Sequence, residues 1–180
     1  MTTQRIITGN DLQGQSYIVS KGPVPGDASF TYQPGFSAAV FAQTNTESSV
    51  GSVATSALQS VTKVLPSVGG TTALIVTFPP AELSTQQSAV DPQALAHEIE
   101  EKLPGFAEIF EPEAPGFHQT DTIDYAVLIE GELTLILDND QRAQLKCGDV
   151  VVQNGTRHAW VNNGTVPARV MFVMVGVTRK

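Results

Sequence analysis

The sequence predicts an all-β chain with one short helical insert, and three observations carry that prediction. From Pro112 onward β-rich runs follow one another with turn residues between them, at 122–130, 132–138, 143–146, 149–153, 157–162 and 167–177. At the start of this region His118, Thr120, Asp124, Ala126 and Leu128 share one parity, which in extended chain points them to one face. Apolar residues at helical spacing occur in only one convincing place, near residues 91–103.

In chain order, residues 4–8 and 16–20 are short β-rich runs joined by the polar link Asn10-Asp11-Leu12-Gln13-Gly14, a hairpin signal. Gly22, Pro23, Pro25, Gly26, Pro34 and Gly35 make 21–35 a loop, and 36–44 reads as a further strand. Residues 45–70 are rich in Ser, Thr, Gly and Val. A long excursion with one short helical turn is expected there, with disorder near 46–52. Thr71 to Phe78 is an apolar strand stopped by Pro79-Pro80. Asp91-Pro92 supplies an N-cap and a proline at the first helical position, and Leu95, Ile99 and Leu103 follow at i,i+4. Pro104-Gly105 ends that helix, and Phe106 to Glu111 adds a short turn. Gly131 punctuates the apolar run after Glu130, and Asp138-Asn139-Asp140 marks a tight turn.

One domain over 1–180 is the natural reading at 180 residues. Within it, 1–110 supplies N-terminal strands, loop and helix packed on a motif-bearing region at 112–180. A net charge of −8 argues against nucleic acid, whose phosphates need clustered Lys and Arg. No apolar run is long enough to span a membrane, and the polar start MTTQRIITGNDLQ has no signal-like core. The single cysteine, Cys147, fits a reducing compartment and hence the cytoplasm. Beside Gly148 it reads as a small half-buried side chain, and no neighbouring His or Lys activates it. His97, within the helix, reads as solvated or packing, and Tyr125 as packing behind the sheet.

The stretch Pro115–Asn162 resembles the two sequence motifs of the cupin superfamily. His118 matches the first histidine of the first motif and Gly131 its closing glycine. Thr120 stands where that motif has a second histidine, and Asp124 stands where it has a glutamate. Gly148, Gly155, His158 and Asn162 match the second motif, with one residue fewer between the glycines and no proline. The resemblance implies a double-stranded β-helix, the cupin or jelly-roll barrel, with extra N-terminal strands outside it. It also implies that His118, Thr120, Asp124 and His158 meet inside the barrel. Metal-binding members place three histidines and a glutamate at those positions, so His118, Asp124 and His158 are candidate ligands. The chain would hold either no cofactor or one divalent ion (Fe, Mn, Zn or Ni), and the sequence leaves that choice open.

The same residues support metal-free chemistry. Imidazoles titrating near pH ~6.5 can take or give protons at neutral pH, and a carboxylate can fix one in the right tautomer. His118, Asp124 and His158 are therefore the candidate catalytic residues. Thr120 and Trp160, the latter sharing parity with His158, are candidate substrate contacts. A narrower likeness, carried by PGFHQTDTIDYAVLIEGELTL and GDVVVQNGTRHAWVN, is to small single-domain (type-2) cupins of bacteria and of fungal polyketide biosynthetic clusters. It implies a lyase or isomerase that dehydrates, isomerises or cyclises (aldol-type) a hydroxy-carbonyl compound, polyketide-derived ones included. Two other readings stand beside it, a metal-dependent oxygenase with a two-histidine, one-carboxylate centre and a non-catalytic binding barrel. A small-molecule substrate and a second copy of the chain, as a homodimer, are the expected partners.

Overall fold

The computed structural model describes residues 3–27, 29–50, 63–85 and 91–180. The chain is an all-β double-stranded β-helix. Its strands are β1 (Gln4–Asn10), β2 (Ser16–Pro23), β3 (Ser37–Thr44), β4 (Thr71–Phe78), β5 (Thr122–Glu130), β6 (Glu132–Ile136), β7 (Arg142–Lys146), β8 (Val150–Asn154), β9 (Ala159–Val161) and β10 (Ala168–Gly176). A five-stranded sheet runs β3-β4-β10-β5-β8 and a three-stranded sheet runs β7-β6-β9, while β1 and β2 form a separate hairpin. All pairings are antiparallel.

The two-residue alternation of β5 and β10 builds the interior. Register places Leu128 beside Val170, Ala126 beside Phe172, Asp124 beside Met174 and Thr122 beside Gly176. The inward row of β5 therefore runs from apolar at Leu128 to polar at Thr122. Leu133, Leu135, Leu145 and Trp160 of the smaller sheet join the same core. Leu128 and Leu133 are about 1% exposed, and burying each contributes roughly 1.5–3 kcal/mol. Gly131, at φ +78°, makes the turn from β5 to β6. A Cβ there would meet the Pro167 carbonyl oxygen at 2.6 Å, so the position needs glycine twice over.

Helix α1 spans Ala81–Thr85 and helix α2 spans Pro92–Lys102. In α2 the Asp91 carboxylate accepts from the Gln93 N–H at 2.9 Å, as its N-cap position predicts. No sequence signal marks α1, because one turn carries no periodicity. Its first N–H is instead donated to the Asn162 carbonyl at 2.8 Å. Glu98 is buried on α2 and its carboxylate accepts from the N–H groups of Thr31 and Tyr32 (2.7 and 2.8 Å), with Lys102 at 2.9 Å. That clamp ties the helix to the loop before β3. Burial pushes the Glu98 carboxyl up, but the two N–H groups and Lys102 prevail and hold it at about 2.

Several expectations need correction. The run predicted at 132–138 ends at Ile136, because Asp138–Asp140 is a short 3-10 turn with Asn139 in the left-handed region. Tyr125 is 54% exposed on the outer face, so it does not pack behind the sheet. Cys147 is exposed, with its thiol donating to the Ile129 carbonyl at 3.0 Å. His97 is exposed. Residues 45–50 and 63–70 hold no helix, and the rest of the excursion predicted at 45–70 lies outside the described residues.

Candidate functional site

The site begins with a backbone bridge. His118 and His158 exchange both main-chain hydrogen bonds, N to O at 3.0 Å each way, at the rim of the smaller sheet where β9 starts. Residues forty positions apart in the chain thus sit directly opposite each other, and their rings lie 4.3 Å apart between centroids. The two side chains are 9% and 2% exposed.

Each imidazole is oriented in the same way. His118 Nδ1 lies 3.1 Å from the Gly116 carbonyl oxygen, and His158 Nδ1 lies 2.9 Å from that of Thr156. A carbonyl can only accept, so each Nδ1 carries the hydrogen and each Nε2 presents a bare lone pair. Among the described residues no hydrogen bond reaches either Nε2. Burial lowers the pKa of both rings. For His158 the neighbouring His118 lowers it further, to about 4, against the Thr156 carbonyl. For His118 the Gly116 carbonyl and the Glu111 charge oppose the burial. Both rings are therefore neutral bases at pH 7.

Aromatic rings hold the pair from both sides. Phe110 and Phe106 lie 5.0 and 5.9 Å from His118 between centroids, and Trp160 meets His158 edge-on at 5.8 Å. Trp160 in turn leans on Phe172 at 5.7 Å, which ties the site to the core. Outside, Arg157 grips Glu111 through two hydrogen bonds of 2.6 and 2.7 Å and covers Phe117.

Asp124 sits elsewhere, on β5 of the five-stranded sheet, between Met174 and Gln153 in register. It is 6% exposed, and its Oδ1 is buried without a hydrogen-bond partner. Burial raises its carboxyl to about 6, while the Thr122 hydroxyl pulls it down. Asp124 thus does not set the tautomer of either histidine, because backbone carbonyls already do so. The run from His118 to Leu128 is not one strand either. It bends at Asp121, so the shared parity brings residues of two sheets into one interior.

Thr120 and Thr122 join hydroxyls at 2.7 Å, and both line a cavity of about 680 Å³. Its other walls come from β3, β4 and the segment between them, including Gln43, Lys63 and Thr72. The histidines and Trp160 are not among its lining residues. Thr122 and Lys63 were not singled out as site residues from sequence. Thr122 was legible from its parity with Asp124, whereas Lys63 carries no local signal.

A two-histidine, one-carboxylate metal centre needs three donors converging on one point. Among the described residues no three His, Cys, Asp or Glu side chains lie close enough together to hold an ion. The bare Nε2 atoms offer two donors, the Thr120 hydroxyl is engaged by Thr122, and Asp124 belongs to the other sheet. The expected ligand set His118, Asp124 and His158 does not assemble in this geometry.

A family model described as a cupin domain matches residues 107–174. A cupin-domain-containing oxidoreductase of Neurospora crassa is 48% identical over 61 residues, covering 32% of this chain and 31% of the relative. One of Aspergillus ruber is 39% identical over 69 residues, with 34% of each chain covered. A phomopsin biosynthesis cluster protein of Diaporthe leptostromiformis is 47% identical over 57 residues, covering 31% of this chain and 30% of the relative. The match thus spans about a third of the length of these curated relatives. Among solved structures, a putative ethanolamine utilization protein of Salmonella typhimurium aligns over 99% of both chains at 11% identity and a TM-score of 0.44.

Proposed function

Since this chain carries a cupin domain over residues 107–174, we propose that it is a small-molecule enzyme of the lyase or isomerase type. It moves a proton α to the carbonyl of a hydroxy-carbonyl compound, leading to dehydration, isomerisation or aldol-type ring closure. The observation that carries this reading is the pair of neutral imidazoles 4.3 Å apart, each with Nδ1 tied to a carbonyl and Nε2 bare. Such a pair offers a base already in the right tautomer, with no proton to shed first. Asp124, raised to about 6, is an inward group of the five-stranded sheet that can return a proton. Thr120 and Thr122 give hydroxyls for the substrate oxygen, and Trp160 backs the His158 ring.

The test is exchange of substrate α-hydrogen for deuterium, followed by NMR on a panel of β-hydroxy ketones. Replacing His118 or His158 by alanine should slow exchange by about 10²-fold or more. A loss under threefold in both variants refutes the assignment and favours a binding barrel. A second reading is favoured by the word oxidoreductase in the names of two of the relatives above. Stoichiometric metal in the purified protein, with O2 consumed during turnover, would establish it in place of proton transfer.

We also place the protein in the cytoplasm as a homodimer. No described helix is long and apolar enough to cross a membrane. β8 is an edge strand, and Tyr125, Ile129, Val150 and Val152 are exposed on or beside it. A second copy covering that face removes both the open edge and the apolar patch. Light scattering that gives a monomer mass at micromolar concentration refutes the pairing.

A further inference from the structure

The described lining of the cavity beside Thr120 includes one basic residue that the proton-transfer reading leaves unused. Among the described residues of its lining Lys63 is the only basic one, and Asp121 the only acidic one. Asp121 is already neutralised, since Arg179 donates to its carboxylate at 2.6 Å. Arg179 also donates to the Thr120 carbonyl at 2.7 Å and the Gly155 carbonyl at 3.2 Å, so it is fastened to the wall. Among the described residues no carboxylate pairs with Lys63. Among the described residues the lining of this cavity thus includes one lysine with no carboxylate partner, in a chain whose net charge is −8.

Lys63 is held in place. Its carbonyl accepts from the Gln43 amide at 2.8 Å, and the next N–H, from fully buried Val64, is donated to the Pro104 carbonyl at 3.0 Å. Its aliphatic stem lies against Gly105, where a Cβ would sit 3.4 Å from the lysine Cγ and Cε. A volume of about 680 Å³ suits a compound of small-molecule size, and Leu65, Ile109 and Val177 give it an apolar side.

We infer that this cavity binds a small molecule bearing a carboxylate, which Lys63 Nζ receives while a hydroxyl or carbonyl oxygen of the same molecule meets Thr120 and Thr122. This inference rests on the proposed function for the identity of the site and narrows its substrate to a hydroxy-carbonyl compound that also bears a carboxylate and an apolar tail. The ammonium supplies the charge that selects acid over ester, and the threonine pair reads the oxygen further along the chain.

Calorimetric titration of the full chain with 3-hydroxyoctanoate and with its methyl ester tests this. The native protein should bind the acid at least about tenfold more tightly than the ester, the strength expected of a charge-assisted hydrogen bond. Lys63→Met keeps the stem over Gly105 and should cost about tenfold or more for the acid while leaving the ester unchanged. Lys63→Arg should restore acid binding, and unchanged ester binding by K63M shows that the cavity is intact. Equal binding of acid and ester, no loss in K63M, or no binding by the native chain overturns the inference. The two readings fail separately. Acid binding through Lys63 without α-deuterium exchange refutes proton transfer alone, and exchange that survives K63M unchanged refutes the carboxylate site alone.

Discussion

Replacing Asp124 by asparagine should change how stability responds to pH, in a direction that burial alone dictates. The carboxyl stands at about 6 in the fold against 3.8 in the free chain, so the native state binds a proton more readily than the unfolded state. Stability from this group is therefore fully present below pH ~3.8 and is lost as pH rises through about 6, a change of about 3 kcal/mol. His158 acts in the opposite sense. Its ring stands at about 4 against 6.5, so it remains neutral in the fold while the unfolded chain takes up a proton, and stability falls between pH ~6.5 and ~4. In the native protein the two slopes oppose each other over nearly the same window. Asp124→Asn removes one of them, and the variant should lose stability on going from pH 7 to pH 4 by about 2 kcal/mol more than the native chain does. His158→Gln should show the reverse trend. Urea unfolding at pH 7, 6, 5 and 4, followed through the emission of the single tryptophan, Trp160, measures each curve. Any fixed penalty from the new amide appears at every pH and drops out of the slope. Parallel pH curves for native and D124N refute the claim that this carboxyl is buried unpaired.

Other changes act on the frame. Glu98→Gln weakens the clamp on Thr31 and Tyr32 and should destabilise the fold by roughly 2–3 kcal/mol in urea unfolding at pH 7. Because the Glu98 carboxyl stands at about 2 against 4.5, native stability should also fall as pH drops through that interval, and E98Q should lack this acid-sensitive phase. Gly131→Ala drives a Cβ to 2.6 Å from the Pro167 carbonyl oxygen at positive φ, and a loss of about 2 kcal/mol or more should appear as a lowered melting temperature. Arg157→Ala releases Glu111 and uncovers Phe117, and its effect should fade at high salt, because both side chains of the pair are partly exposed.

Much of this arrangement was legible in the sequence, and the physical reason is locality. A strand repeats every two residues, so the inward set Thr122, Asp124, Ala126 and Leu128 could be read from spacing alone. The helix announced itself through Asp91-Pro92, and the turn through Gly131. Non-local contacts decided the rest. Glu98 looks like a solvated helix position until the N–H groups of Thr31 and Tyr32, more than sixty residues away, are placed against it. The bend at Asp121 is also invisible to parity, which counts residues without saying which sheet they join. That bend, and the missing methylene relative to glutamate, explain why Asp124 fell outside the group it was expected to complete.

That separation has a consequence for the chemistry. In water an aspartate titrates below a histidine, and the two would meet as an ion pair. Burial inverts the order here, with Asp124 at about 6 and His158 at about 4. Between those values the acid keeps its proton while the base stays bare, which is the state a proton-transfer site needs and which no ion pair offers. The rate of α-deuterium exchange at low substrate should therefore pass through a maximum near pH ~5, falling below about 4 as the imidazole charges and above about 6 as the carboxyl empties. Asp124→Asn should remove the fall on the alkaline side and lower the maximum, and a pH-independent defect would mark the residue as structural only. A native rate that climbs steadily from pH 5 to pH 8 would show that Asp124 gives no proton and that the imidazoles work alone.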